Sequence, residues 1–204
     1  MDVLSDILRL LRLRASVYFH SDFCGTWTVD SSGSGKATFH LVADGNCWLH
    51  TEGEQAPLAL AAGDLVVFPR DARHVISDSP EPLLADTPPG VVRAGGAGTS
   101  TSLVCGYFEF DSPQVNPLLD ALPDTVHIRS DQADNAIWLD TLVRLIRLET
   151  GSDSPGADAI VDKLSDVLFV QVVRTYIREN GAPRGLLAAL SDVQVCRALK
   201  AVQA

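Results

Sequence analysis

The chain has 204 residues, of which 46% are hydrophobic and 21% charged, enough to build one domain or little more and too apolar for wholesale disorder. Lysine and arginine number 16 against 26 acidic residues, a net charge of -10, so the residues given carry no basic footprint for DNA or RNA. No apolar run reaches the ~18 residues of a membrane helix. The opening Asp2-Val-Leu-Ser-Asp6 is acidic where a secretory leader is basic. The expected compartment is therefore the cytoplasm, where cysteines act as metal ligands, redox groups or core filler rather than structural disulfides.

In chain order, Leu4, Ile7, Leu8 and Leu11 share one face and predict a short helix over 3–14. From 15 to 110 short β-rich runs alternate with Gly, Pro, Asp and Ser turns. The runs are 16–19, 26–29, 37–42, 47–50, 64–68, 74–76 and 102–110, and Asp44-Gly45 is expected to turn a hairpin. Many short strands predict a sandwich or barrel. Residues 78–101, rich in Pro and Gly, read as loop. After Pro123 the apolar period lengthens. Ile137, Leu139, Leu142, Val143, Ile146 and Leu148 mark one helix, and Gly151 to Gly156 a break. Ile160, Val161, Leu164, Val167, Leu168, Val172 and Tyr176 mark a longer helix that stops near Asn180-Gly181. Two amphipathic helices outside a barrel can bury one face on it and another on a second subunit, which predicts a homodimer. Leu186, Leu187, Leu190, Val193, Val195 and Leu199 predict a third helix over 184–203, after which the sequence looks cut rather than finished.

Chemistry-bearing residues gather in the β-rich part. The phrase Gly63-Asp-Leu-Val-Val-Phe-Pro69-Arg-Asp-Ala-Arg-His74 sets a glycine turn before an apolar strand, a proline stop, a tight turn and a histidine. That order presents His74 to the interior. Side chains alternate along a strand, so His40 opposes Phe39 and shares a face with Val42. With Cys24 and Cys105 they form a Cys2His2 set, Cys24, His40, His74 and Cys105, whose thiolates and imidazoles suit zinc over a hard ion. No two of the four make a short clamp, and the alternative is that the cysteines are small core residues and the histidines are bonded within turns. A second reading concerns the thiols alone. Cys24 and Cys105, each followed by glycine, form the best oxidisable pair, Cys47 is a core residue or third participant, and Cys196 is packing. Trp27, Trp48, Phe39, Phe68, Tyr107 and Phe108 mostly read as core, the alternative being that one or two line a pocket for an apolar effector, with Trp138 seating the helices on the barrel. No nucleophile elbow, phosphate loop or HExxH helix is present, and Gly33-Ser-Gly35-Lys36 lacks the full phosphate-loop spacing.

The 63–74 phrase resembles the second cupin motif, with Asp71 in the usual glycine place. Cys24-Gly25-Thr-Trp27, the run from Phe39-His40 to Cys47-Trp48, Val104-Cys105-Gly106-Tyr-Phe108, Asn116-Pro-Leu-Leu-Asp-Ala-Leu-Pro123 and Leu168-Phe-Val-Gln are similar to the N-terminal cupin domain of AraC-type bacterial transcriptional regulators. The resemblance covers nearly the whole chain. It implies a mainly β fold with α: a cupin β-barrel (jelly roll) with a short N-terminal helix over 1–123, and a helical dimerisation segment over 124–182. It further implies that 183–204 leads toward a C-terminal helix-turn-helix pair that binds DNA. The implied role is a sensory and dimerisation domain answering to a small molecule, a metal or thiol oxidation. Some members respond to reactive chlorine through two cysteines, and their places match Cys24 and Cys105. The first cupin motif normally brings HxH and a glutamate, and here offers His40 alone. A metal-dependent oxygenase or isomerase is thus the lesser alternative, and the chain is expected not to be an enzyme.

Overall fold

The apolar runs pair into two antiparallel five-stranded sheets in the computed structural model, which describes residues 4–5, 13–82, 90–95, 100–110, 116–152 and 154–180. The first sheet has the order β1–β9–β3–β6–β10, from β1 (Arg14–Phe23), β9 (Thr101–Glu109), β3 (Ala37–Asp44), β6 (Leu65–Phe68) and β10 (Val126–Ile128). The second has the order β5–β4–β7–β2–β8, from β5 (Leu58–Ala61), β4 (Asn46–Thr51), β7 (His74–Ser77), β2 (Thr26–Asp30) and β8 (Gly90–Gly95). The expected mainly β, jelly-roll-like fold followed by helices is what forms, as two facing sheets rather than one closed barrel.

Three helices follow: α1 (Pro117–Asp120), α2 (Ala133–Thr150) and α3 (Ala157–Asn180). Asn116 caps α1, its side chain accepting from the N–H groups of Leu118 and Leu119, and Pro117 fits the first turn, where no N–H is needed. The break between the long helices falls where Gly151 and Gly156 predict it.

Alternation along β3 splits the core into two layers. Phe39 and Leu41 pack outward with Leu65, Val67, Val104 and Phe108 against Leu139, Val143 and Ile146 of α2 and Leu168, Phe169 and Val172 of α3. Val42 turns inward with Val66, Phe68, Leu103 and Cys105, against Trp27, Val29, Leu49 and Ile76 of the second sheet. The first sheet is covered on both faces, so its central strands read as nearly continuous apolar runs.

The outer edge of that sheet, β1, is closed by α3. Asp166 Oδ1 accepts from the Ala15 N–H at 2.8 Å, and the backbone at Val17 favours the charged form of the nearby Asp162 carboxylate. A strand edge that would otherwise offer bare N–H groups is thereby sealed.

Three expectations change. Asp44-Gly45 is not a hairpin turn: β3 and β4 belong to different sheets, and Gly45 (φ 78) carries the chain around the corner between them. A Cβ on Gly45 would stand 2.4 Å from the Ser100 carbonyl oxygen, so the corner needs glycine twice over. The 78–101 segment is not all loop, because Gly90–Gly95 pairs with β2. The β-rich part extends past 123, since Val126–Ile128 pairs with β6. Most of the 3–14 helix and all of the 184–203 helix, with Cys196, lie outside the described residues.

Candidate functional site

His40 sits mid-strand in β3, directly across from Cys105 on β9. Both are 0% exposed and face the second sheet. Their contact is His40 Nδ1 to Cys105 Sγ at 2.9 Å. His74 opens β7 in the opposite sheet. The turn that delivers it is closed by the Asp71 N–H to the Phe68 carbonyl, and Asp71 takes φ 55 where a glycine is easier. The Asp71 carboxylate helps hold that turn by accepting from the Gly35 N–H. Phe68 stacks flat on the His74 ring, centroids 3.6 Å apart, fixing its plane.

Hydrogen-bond counting assigns the protons. His74 Nδ1 lies 2.7 Å from the Ala72 carbonyl, which can only accept, so His74 carries its proton there and presents a lone pair at Nε2. His40 Nε2 is 2.8 Å from that atom and must donate to it. His40 Nδ1 is then the acceptor, and the Cys105 S–H donates to it. Ser31, half-buried just after β2, places Oγ 3.1 Å from both Nε2 atoms. The result is a neutral line running Cys105, His40, His74 and the Ala72 carbonyl.

Electrostatics keep the line neutral. Burial holds the His40 imidazole well below the usual histidine range, and neighbouring His74 adds to it. Burial lowers His74 as well, against the Ala72 carbonyl and the carboxylates of Asp30 and Asp71, which favour its proton. Burial pushes the Cys105 thiol up, with a further contribution from Cys47. Cys47 itself is pushed up to about 12 by burial and by Asp64. A buried thiol with a raised pKa is a poor nucleophile and a poor first target for an oxidant.

Three of the four residues read as a zinc set therefore meet, and the fourth does not. Cys24 is exposed and lies just past the end of β1, where Phe23 pairs with Thr101. Cys105 pairs with Phe19, and β9 runs roughly 13 Å from Thr101 to Cys105 at the usual strand rise. That exceeds the ~7 Å between Cα atoms that a disulfide spans. The Cys2His2 set fails for a second reason: Cys105 and His74 contact opposite nitrogens of the His40 ring, and one ion cannot take both. Among the described residues, no group of three or more His, Cys, Asp or Glu is placed to hold a metal ion. Cys47 shares the inner apolar cluster with Cys105. Ser31 escaped the sequence reading, because no spacing ties a lone serine after a strand to two distant histidines.

A second concavity, of about 550 Å³, opens where Lys36, Arg70 and Asp71 approach α1. Two of its cations are already engaged. Lys36 pairs with Glu109 at 2.6 Å, and Arg70 donates to the carbonyls of Leu119 and Leu122 and to Asp124.

Residues 2–178 match the cupin family. The chain is 30% identical to an uncharacterized HTH-type transcriptional regulator of Haemophilus influenzae, over 99% of this chain and 68% of that protein. It is 30% identical to a putative AraC-like transcription regulator of Streptomyces lividans (98% and 67%) and 28% identical to the HTH-type transcriptional regulator MtrA of Neisseria gonorrhoeae (88% and 60%). The chain thus spans between 60% and 68% of these relatives. A solved structure of ToxT from Vibrio cholerae, with unsaturated fatty acid bound, aligns at 12% identity over 92% of this chain and 69% of that one, with a TM-score of 0.44. No helix among the described residues is long and apolar enough to cross a membrane. On the extent of these matches, the chain belongs to the cupin family as it occurs in AraC-like HTH transcriptional regulators.

Proposed function

We propose that this chain is the signal-receiving and dimerising part of an AraC-like regulator, and that the buried line of Cys105, His40 and His74 with Ser31 is its receiver. One observation carries this reading: hydrogen-bonded titratable groups occupy the centre of a layer that is otherwise apolar. A layer built for stability alone is served as well by hydrophobic side chains of similar size. DNA binding is the work of a helix-turn-helix part outside these residues, consistent with the net charge of -10.

The fold supplies a route out of the receiver. Cys105 lies on β9, beside β1, and the far edge of β1 is fastened to α3 through Asp166. A change in how β9 sits is passed to β1 and then to the helices. Those helices expose Ile137 at 80% and Leu148 at 69%, with Leu145, Ile160 and Val167 also uncovered. A second copy of the chain is the partner that would cover them.

An oxidant would meet the exposed Cys24 first. A link from Cys24 to Cys105 requires the end of β1 to unzip from β9, so thiol oxidation would act by opening that edge. An oxygenase or isomerase is disfavoured by the residues themselves, since such centres use three protein ligands and an open position. The relatives' names point the same way.

The test uses the whole regulator with its own promoter. His40→Leu, His74→Leu and Cys105→Ser are each expected to abolish the response to the inducing signal while leaving unstimulated promoter binding in place. An unchanged response in all three variants would refute the receiver. Sedimentation of the chain is expected to give a dimer that Ile137→Lys with Leu148→Lys dissociates.

A further inference from the structure

The concavity of about 550 Å³ beside α1 is lined by two residues that each carry an unsatisfied polar atom. Asn116 is 3% exposed. Its Oδ1 caps α1, and its Nδ2 is buried with no hydrogen-bond partner among the described residues. Asp71 commits Oδ2 to the Gly35 N–H, and its Oδ1 is likewise buried and unpartnered. We propose that this concavity binds a short peptide with both ends free, lying between Asp71 and Arg14. The proposal uses none of the receiver's side chains and does not rest on the regulatory reading.

An orphaned donor and an orphaned acceptor in one cavity wall call for a guest that both accepts and donates. A carboxylate such as Asp71 is best matched by an ammonium, and the Asn116 amide donates to a carbonyl oxygen. The third cation of the lining, Arg14, is exposed. Arg14 pairs with Glu109, Phe108 with Ala37, and Phe68 with Thr38, so the end of β6 that leads to Asp71 stands three strands from Arg14. That is roughly 14 Å at the usual strand spacing. A chain of about two or three residues, at ~3.5 Å each and with a hydrogen bond at either end, spans the gap. A free amino acid, its charges only ~3 Å apart, does not. Between the two ends, Lys36 and Arg70 are offset by Glu109 and Asp124, which leaves a middle suited to uncharged backbone. Ala37, Pro69, Phe110 and Leu119 supply an apolar wall for the guest's side chains. Asp120, next to the Leu119 carbonyl that accepts from Arg70, adds negative charge on the side of the ammonium.

Both orphaned atoms are covered by their neighbours, so loading includes a small turn of each side chain. The χ2 torsion of Asn and Asp is broad, and a small turn keeps both the cap of α1 and the bond to Gly35. The guest's ammonium then donates to Asp71 Oδ1, its first carbonyl accepts from Asn116 Nδ2, and its terminal carboxylate faces the Arg14 guanidinium. No bond is made or broken in the guest.

The test is calorimetric titration of the purified chain with the tripeptide Ala-Leu-Ala, its N-acetylated form, its C-terminal amide and free leucine. One tripeptide per chain is expected, with free leucine bound more weakly. Acetylation removes the ammonium and is expected to weaken binding about 10–100-fold, the range of a charge-assisted hydrogen bond. Amidation is expected to cost about two- to fivefold, as for an ion pair at an exposed arginine. Asp71→Asn places a residue that tolerates the positive φ there, and is expected to erase the difference between free and acetylated peptide. Arg14→Gln, at an exposed position, is expected to erase the difference between acid and amide, which a merely structural role would not do. Asn116→Ser keeps a capping oxygen, loses the amide and is expected to weaken all three peptides about tenfold. Absence of Ala-Leu-Ala binding by the unmodified chain would overturn the site. So would equal affinity for the acetylated peptide, or discrimination against it that survives Asp71→Asn. An amide bound as tightly as the acid would assign the site to the N-terminus of a longer chain and overturn the free-ended peptide.

Discussion

The two faces of the first sheet are equally buried and differently made. The outer face, from Phe39 to Phe108 and on to Phe169, is an aromatic and aliphatic layer in which Phe108 and Phe169 rings meet at 4.8 Å. The inner face, one residue out of phase along the same strands, holds His40 opposite Cys105. A single strand thus serves two purposes by alternation: odd positions of β3 hold the helices on, and His40 places polar chemistry in the other layer. On the proposed reading, stability and reception are separable by substitutions one position apart.

Changes on the outer face are expected to cost most in stability. Phe169→Ala empties a fully buried position in that layer and is expected to lose about 3–5 kcal/mol in urea unfolding. Promoter response should fall only as far as the folded fraction does. Gly106→Ala is the next largest, since a Cβ there would lie 2.4 Å from the Phe39 ring and 2.6 Å from the Ser16 carbonyl. Overpacking of this kind is expected to cost about 1–3 kcal/mol, read by the same unfolding curve. On the inner face, His40→Leu is expected to cost about 1–3 kcal/mol, less than Phe169→Ala, while the response disappears. A large loss of stability in His40→Leu would show that the two faces are not separable.

Smaller effects sharpen the comparison at the sheet's margins. Asp64, just before β6, ties the end of β5 to β10 and the residues after it by accepting from Ala61, His127 and Ser130. Burial alone would raise its pKa, but these bonds outweigh burial and hold the carboxyl below its usual range. Its contribution is therefore complete above the unfolded value, about 4, and is lost as pH falls through the lower folded value. Unfolding free energies measured between pH 6 and 3 are expected to fall toward acid, with a shallower slope in Asp64→Asn. Asp166→Ala removes the acceptor of the Ala15 N–H and is expected to cost ~1 kcal/mol, with faster amide exchange at Ala15 as the local readout.

Alternation made part of this site legible before the fold was known. The placement of His40 with Val42, and of His74 just after a proline-stopped strand, follows from period two and turn chemistry, and both residues do face the inner layer. Cys24 shows where that logic ends. Its distance from Cys105 depends on the β1–β9 register, which pairs Phe19 with Cys105, and register is a long-range property. Asp44-Gly45 shows the same limit, since a positive φ announces a turn but not which sheet the next strand joins. β8 was hidden because Gly90-Val-Val-Arg-Ala-Gly95 is too short between prolines and glycines to stand out, and only pairing with β2 makes it a strand.

The lock between α3 and β1 carries a further consequence for how the molecule is made. The ribosome releases β1 early, while Asp162 and Asp166 emerge more than a hundred residues later. Throughout that interval the margin of the nascent sheet stays open to foreign strands. Only once residue 166 has left the ribosome can Asp166 reach the Ala15 N–H and cover that margin.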